Sequence, residues 1–186
     1  KYEETGAAKV SDSHISDMES GEGYDRSTLE LLGRQRELIR EMGKLNKPIV
    51  LVLIKGRPLL LEGLEAEVDA IVDAWYPGMQ GGNAIADVLF GDYNPAGRLT
   101  ISVPRSVGQL PVYYNTKRKG NRSKYIEEEG TPHYPFGYGL SYTSFNYSDL
   151  RAEVVESEDS CLVNISVKVR NEGSRDGDEV VQLYLR

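Results

Sequence analysis

A chain of 186 residues with 39% hydrophobic residues is long enough for one or two packed domains. Its formal net charge of -7 argues against non-specific binding to nucleic acid, since no basic face offsets the acidic balance. The single cysteine, Cys161, excludes an internal disulfide and a thiolate metal cluster, and every apolar run is far shorter than the roughly 20 residues that cross a bilayer.

The start, KYEETGAAKV, has no signal-peptide hydrophobic region and no Met, and the end, Tyr184, Leu185 and Arg186, reads as an unfinished strand. The chain is therefore expected to be cut from a longer protein. The residues up to Glu19 read as a polar, acidic loop with Asp12 and Asp17. His14 in that loop has no sequence-adjacent partner, which favours a structural or solvated histidine over a proton carrier. Next comes SGEGYDR, Ser20 to Arg26. Glu22 stands between Gly21 and Gly23, where the backbone has unusual freedom and no neighbouring side chain crowds a ligand. Spacing alone leaves two readings open, an accessible functional carboxyl or a solvated glutamate on a Gly-rich turn.

Asp25 or Ser27 as a cap, with Glu30 three residues beyond Ser27, predicts a helix start, and Leu31, Leu32, Gln35, Leu38, Ile39 and Met42 predict an amphipathic helix over 27–42 that ends near Gly43. Ile49 to Ile54 is a continuous apolar run bounded by Pro48 and Gly56, the pattern of a strand buried on both faces. Leu59 to Val68 suggests a short helix, and Ala70, Ile71, Val72, Ala74 and Trp75 a second buried strand. This alternation gives an α/β fold with a parallel sheet, whose ligands bind beyond the carboxyl ends of the strands. YPGMQGGNAIADVLFG turns at Pro77 and Gly78 and enters a helix over 81–90. Gly78, Gly81 and Gly82 match neither the dinucleotide fingerprint nor the Walker pattern, so a tight turn or close packing explains them better than phosphate binding.

Leu99, Ile101 and Val103 alternate as a short strand before Pro104. Residues 105–145 are too long for an idle connector and read as an ordered wrap between domains. Within them the basic cluster Lys117, Arg118, Lys119, Arg122 and Lys124 reads as solvated loop rather than a phosphate site, and Tyr134, Phe136, Tyr138, Tyr142 and Phe145 as an aromatic hinge in which packing outweighs sugar stacking. The remainder is β in character: 145–155, a strictly alternating 162–169 in which Val163, Ile165 and Val167 face a core, and 179–185. Three strands of an immunoglobulin-like sandwich are visible where about seven are expected.

Together these stretches carry a resemblance to the family 3 glycoside hydrolases: SGEGYDR, KPIVLVLIKGRPL, AWYPGMQGGNAIADVLFGDYNPAGRLTISVPRSVGQLPVYYN, YPFGYGLSYTSF and VRNEGSRDGDEVVQLYL follow one another in the family's order over nearly the whole chain. The resemblance implies a partial α/β sandwich of parallel-sheet layers with helices over 1–115, an aromatic interdomain linker over 116–145, and the start of a fibronectin type III-like β-sandwich over 146–186. It implies that Glu22 is the acid/base of a retaining exo-acting β-glycosidase acting on terminal glucose or xylose, with the aspartate nucleophile on an amino-terminal barrel outside this chain. Glu19 is the nearest rival for that role, but it lacks flanking glycines. No metal or cofactor is implied, the partner is a β-linked oligosaccharide or glycoside, and the expected location is periplasmic or secreted. The alternative is a carbohydrate-binding or scaffolding module without catalysis. An acidic residue at Glu22 favours the enzyme.

Overall fold

The computed structural model describes residues 26–115, 125–157 and 160–185. They form few helices and two small sheets. The chain clusters into two compact units, the first made of residues up to Ile85 with Leu99–Tyr138, the second of Ala86–Arg98 with Gly139–Arg186.

In the first unit, α1 spans Gln35–Gly43. Gln, Arg, Glu, Leu and Met lose little side-chain freedom in a helix. Only Ile39 on α1 is buried, and Arg36 and Arg40 reach Glu67 at 3.7 Å each. The helix expected from Ser27 does not begin there. Gly33 takes φ +57, a left-handed conformation that ends any regular helix, and the preceding residues run along the core instead. Leu29 carbonyl accepts from Leu60 N at 2.9 Å, Leu31 packs on the core, and Thr28 Oγ1, rather than a capping serine, accepts from Glu30 N at 3.1 Å. Tertiary packing overrides the local capping pattern.

Strands β1, Val50–Leu53, and β2, Ala70–Asp73, pair in parallel with Val50 opposite Ala70 and Leu53 opposite Asp73. The parallel sheet expected from the alternation is present, but β1 is not buried on both faces: Leu53 is 5% exposed, whereas Val50 and Ile54 are 46% and 58% exposed. Parallel strands need a long crossover. Here residues 54–69 supply it as turns rather than the expected short helix, with Leu64 N bonded to Leu61 O and Glu67 N to Leu64 O across Gly63 at φ +82. The crossover nevertheless provides most of the core, since Leu59, Leu61 and Leu64 join Ile39 and Leu53, with Leu31, Leu51, Val68, Ile71 and Tyr134 against them.

Residues 99–103 run antiparallel to 134–138. Leu99 N donates to Tyr138 O at 2.8 Å, Gly137 N to Leu99 O at 2.7 Å and Val103 N to Tyr134 O at 2.8 Å, although only the Val103–Tyr134 pair forms a bridge and the expected strand is otherwise irregular. Helix α2, Gly81–Phe90, lies where the sequence predicts it.

In the second unit, β3, Phe145–Ser157, and β4, Ser160–Asn171, form an antiparallel hairpin with Val154 opposite Val163 and an irregularity between Ser148 and Arg151, where Asp149 takes φ +55. Ile165, Val167 and Val169 are half-buried and alternate with exposed neighbours, but Val163 is 45% exposed, so the expected core face is only partly covered. Residues 179–185 do not join the sheet as a strand. Buried Asn94 ties the unit together: its Oδ1 accepts from Ser141 Oγ at 2.9 Å and Tyr142 N at 2.7 Å, and its Nδ2 donates to Asp176 O at 3.0 Å.

Leu64 is fully buried at the centre of the first unit's core. Leu64→Ala is expected to lower stability by about 2–5 kcal/mol through lost transfer energy and a residual cavity, read as a fall in the urea midpoint.

Candidate functional site

Glu22, the residue singled out for chemistry, lies outside the described residues, as do Glu19, His14 and the basic cluster 117–124. Two polar arrangements are described in the first unit, and neither was singled out from the sequence.

The first lies at the carboxyl ends of β1 and β2, where open parallel sheets bind ligands. Lys55 Nζ sits 2.9 Å from Asp73 Oδ2 and 4.0 Å from the centroid of the Trp75 ring, and Lys55 as a whole is only 4% exposed. An ammonium so far out of water is sustained by an opposite charge and by the negative face of an aromatic ring. Lys55 N also donates to Trp75 O at 3.2 Å, which extends the strand pairing past β2. The chain then turns at Pro77 and Gly78, φ +71, toward α2. Gly81 lies against the Pro77 ring, where a Cβ would come within 2.4 Å of Pro77 Cγ. The tight turn and close packing read from these glycines are thus what the structure has. Gly82 meets no such neighbour.

The second arrangement joins the crossover to the 99–138 wrap. Glu65 Oε1 accepts from Tyr134 Oη at 2.7 Å and faces His133 Nε2 in close contact. Arg105 Nη1 stands 3.3 Å from His133 Nδ1, and its guanidinium also reaches Glu129 at 3.1 Å and Glu62 at 3.6 Å. A guanidinium can only donate, so Nδ1 accepts and the Nε2 proton points at Glu65. Burial pushes the Glu65 carboxyl up, but the His133 and Tyr134 donors outweigh it and hold it below its ordinary value of 4.5. Burial, and then the Glu65 carboxylate, pushes the Tyr134 phenol well above its usual range. The result is a structural clamp.

Aromatics of the expected hinge meet other rings, although Tyr138 and Tyr142 stay 41% and 47% exposed. Tyr134 and Tyr138 stack at 4.7 Å, Tyr114 and Phe136 at 4.2 Å, and in the second unit the Arg175 guanidinium lies 5.4 Å from the Tyr142 ring centroid. Among the described residues no group of three or more His, Cys, Asp or Glu side chains is arranged to hold a metal ion, and no helix is long and apolar enough to cross a membrane. Lys55 directly after the apolar run, and His133 beside a tyrosine, were the signals available in the sequence. Both depend on partners too distant along the chain to be paired by spacing.

Among the described residues, a two-stranded parallel sheet with two α-helices, and an antiparallel hairpin after it in the chain, define an α/β protein with a β-rich carboxyl-terminal part. Comparison with known proteins makes this specific. Residues 5–142 match the C-terminal domain of glycosyl hydrolase family 3, and the chain belongs to that family. It is 48% identical over 175 residues to a periplasmic β-glucosidase of Salmonella typhimurium, covering 89% of this chain and 23% of that protein. It is 42% identical over 188 residues to a β-xylosidase of Formosa agariphila, covering 97% of this chain and 26% of that protein. Among solved structures, a β-glucosidase of Erythrobacter marinus superimposes with a TM-score of 0.77 at 50% identity, over 82% of this chain and 20% of that one. The chain thus spans about a quarter of the length of these curated relatives.

Glu65 links fold stability to pH. A carboxyl held lower in the folded than in the unfolded chain stabilises the fold above its unfolded value of 4.5, and that stabilisation is lost as pH falls through the lower folded value. Glu65→Gln, which cannot ionise, is expected to lower the thermal midpoint at neutral pH and to flatten its decline in acid, as measured by melting at intervals between about pH 3 and 7.

Proposed function

We propose that this chain is the part of a retaining, exo-acting β-glycosidase that supplies the acid/base carboxyl, Glu22, for removal of terminal non-reducing β-linked glucose or xylose. The observation that carries the reading is the breadth of the likeness: proteins named β-glucosidase and β-xylosidase match 89% and 97% of the chain. Because those relatives are about four times longer, the nucleophilic aspartate is assigned to an amino-terminal barrel outside this chain. The α/β sandwich portion would occupy 1–115, the aromatic linker 116–145, and the first strands of a fibronectin type III-like domain 146–186. The half-covered face of the β3–β4 hairpin supports the last assignment, since a sandwich requires a second sheet over that face. A periplasmic or secreted location is supported by the name of the Salmonella relative.

In the proposed reaction two carboxyl groups about 5–5.5 Å apart divide the work. The aspartate attacks the anomeric carbon while Glu22 gives its proton to the departing oxygen. Glu22 then takes a proton from water as the water attacks the glycosyl-enzyme. In such a reaction Glu22 must begin protonated, a state that a negative nucleophile nearby and exclusion of water would favour. In the sequence, Gly21 and Gly23 place no side chain immediately beside Glu22.

The test uses the full-length protein. Glu22→Ala is expected to slow poor leaving groups by about 100-fold or more, because their oxygen depends on proton donation, and to affect activated aryl glycosides less at the first step. The glycosyl-enzyme should accumulate, and azide should restore turnover of the activated substrate with formation of the β-glycosyl azide. Equal losses for good and poor leaving groups with no azide product, in a folded variant, would move the acid/base role elsewhere. A wild-type protein that binds but does not cleave aryl β-glucosides or β-xylosides would leave the non-catalytic module as the reading.

A further inference from the structure

At the carboxyl edge of the parallel pair, Trp75, which opens the Trp75–Gln80 loop, is held in a conformation that a bulky residue does not favour. Trp75 takes φ +50, in the left-handed region where a bulky side chain is strained. Such a conformation persists only when its surroundings over-determine it, and three contacts do so here. Lys55 N holds Trp75 O at 3.2 Å. The Lys55 ammonium lies 4.0 Å from the centroid of the Trp75 ring while paired with Asp73 at 2.9 Å. The Tyr76 ring lies on Gly56, where a Cβ would come within 2.6 Å of Tyr76 Cε2. Lys55 is too deeply buried to meet a ligand, so its charge acts on Trp75 and the loop that follows. That loop presents Tyr76 and Met79, which are 61% and 98% exposed, beyond the carboxyl ends of the strands, the side on which open parallel sheets generally bind ligands.

We infer that Lys55 is a positioning residue: through its ion pair with Asp73 and its charge against the Trp75 ring it fixes the Trp75–Gln80 loop in a shape that contributes to glycoside binding. The link to binding rests on the glycosidase reading, whereas the positioning of Trp75 does not. Lys55→Met removes the cation and strands the Asp73 carboxylate. Lys55→Met with Asp73→Leu replaces the whole pair by apolar side chains, an exchange that is often neutral or stabilising. A role confined to stability is therefore restored in the double variant, and a positioning role is not.

Trp75 is the only tryptophan in the sequence, so fluorescence of the 186-residue chain reports on that ring alone. Acrylamide quenching of Trp75 is expected to rise about twofold in Lys55→Met and in the double variant, with loss of the ammonium from the ring face. Should the double variant not fold, Lys55→Gln, which keeps a polar side chain of similar size but no charge over the ring, is expected to show the same rise. Unchanged quenching in a folded variant overturns the positioning role. In the full-length protein the same variants are expected to raise KM for aryl β-glucosides or β-xylosides about threefold or more, with kcat within about twofold of wild type. Altered quenching with unchanged KM, or with a loss confined to kcat, overturns the contribution to binding. A wild-type protein inactive on both substrates overturns the glycosidase reading, and the quenching data still decide the role of Lys55.

Discussion

The register of two four-residue parallel strands is the constraint on which the first unit depends. So short a ladder has little resistance to slipping, and a slip of one residue would turn Leu53 from the core to the opposite face. Polar contacts fix it at both ends. At the amino end, Asp69 Oδ2 accepts from Ile49 N at 2.7 Å while Asp69 N donates to Ile49 O at 2.9 Å. At the carboxyl end, Ala74 N donates to Leu53 O at 2.9 Å, and beyond it lie the Lys55–Trp75 backbone bond and the Lys55–Asp73 ion pair. With the register set, the crossover places Leu59, Leu61 and Leu64 in the core and turns Glu65 toward His133 and Tyr134. The core and the clamp follow from the same alignment.

The second unit solves a different problem. A long two-stranded hairpin is marginal on its own, and β3–β4 leaves much of its apolar surface exposed. Its base is held by polar side chains at the segments flanking it. Asn94 fixes the backbone at Tyr142 and Asp176, Asn171 Oδ1 accepts from Thr143 Oγ1 at 2.7 Å, and Glu179 receives Arg98 at 2.8 Å and the Tyr147 hydroxyl at 2.7 Å. Each of these contacts costs desolvation that only good geometry offsets, so their clustering at one end gives the hairpin a defined root where apolar burial is thin.

What was legible in the sequence follows from how far each signal reaches. The apolar runs of β1 and β2, the 81–90 helix and the alternation of β4 are local patterns with the right period, and each appears in the fold. The capping box at Ser27 and Glu30 was equally local but misleading, because Leu29 and Leu31 gain more from Leu60 and the core than from a helical turn, and Gly33 permits the break. The turn at Gly63 likewise interrupts a helix that Leu59 to Val68 would otherwise support. The strand expected over 179–185 needs a neighbour to pair with, which no local pattern supplies. Lys55 with Asp73 and Glu65 with His133 were invisible for the same reason: nothing within a few residues of either marks its partner.

Several of the described carboxylates are committed to fixed donors or cations. Glu65 is surrounded by donors that hold it ionised, the reverse of what a proton donor at neutral pH requires. Asp73 neutralises a buried ammonium, Glu129 faces Arg105, and Glu179 takes both Arg98 and Tyr147. To give up a proton to a glycosidic oxygen and take one back, a carboxyl must be free of such fixed cations and open to the leaving group. These paired carboxylates serve the framework, and the proposal of Glu22 rests on its glycine-flanked place in the sequence.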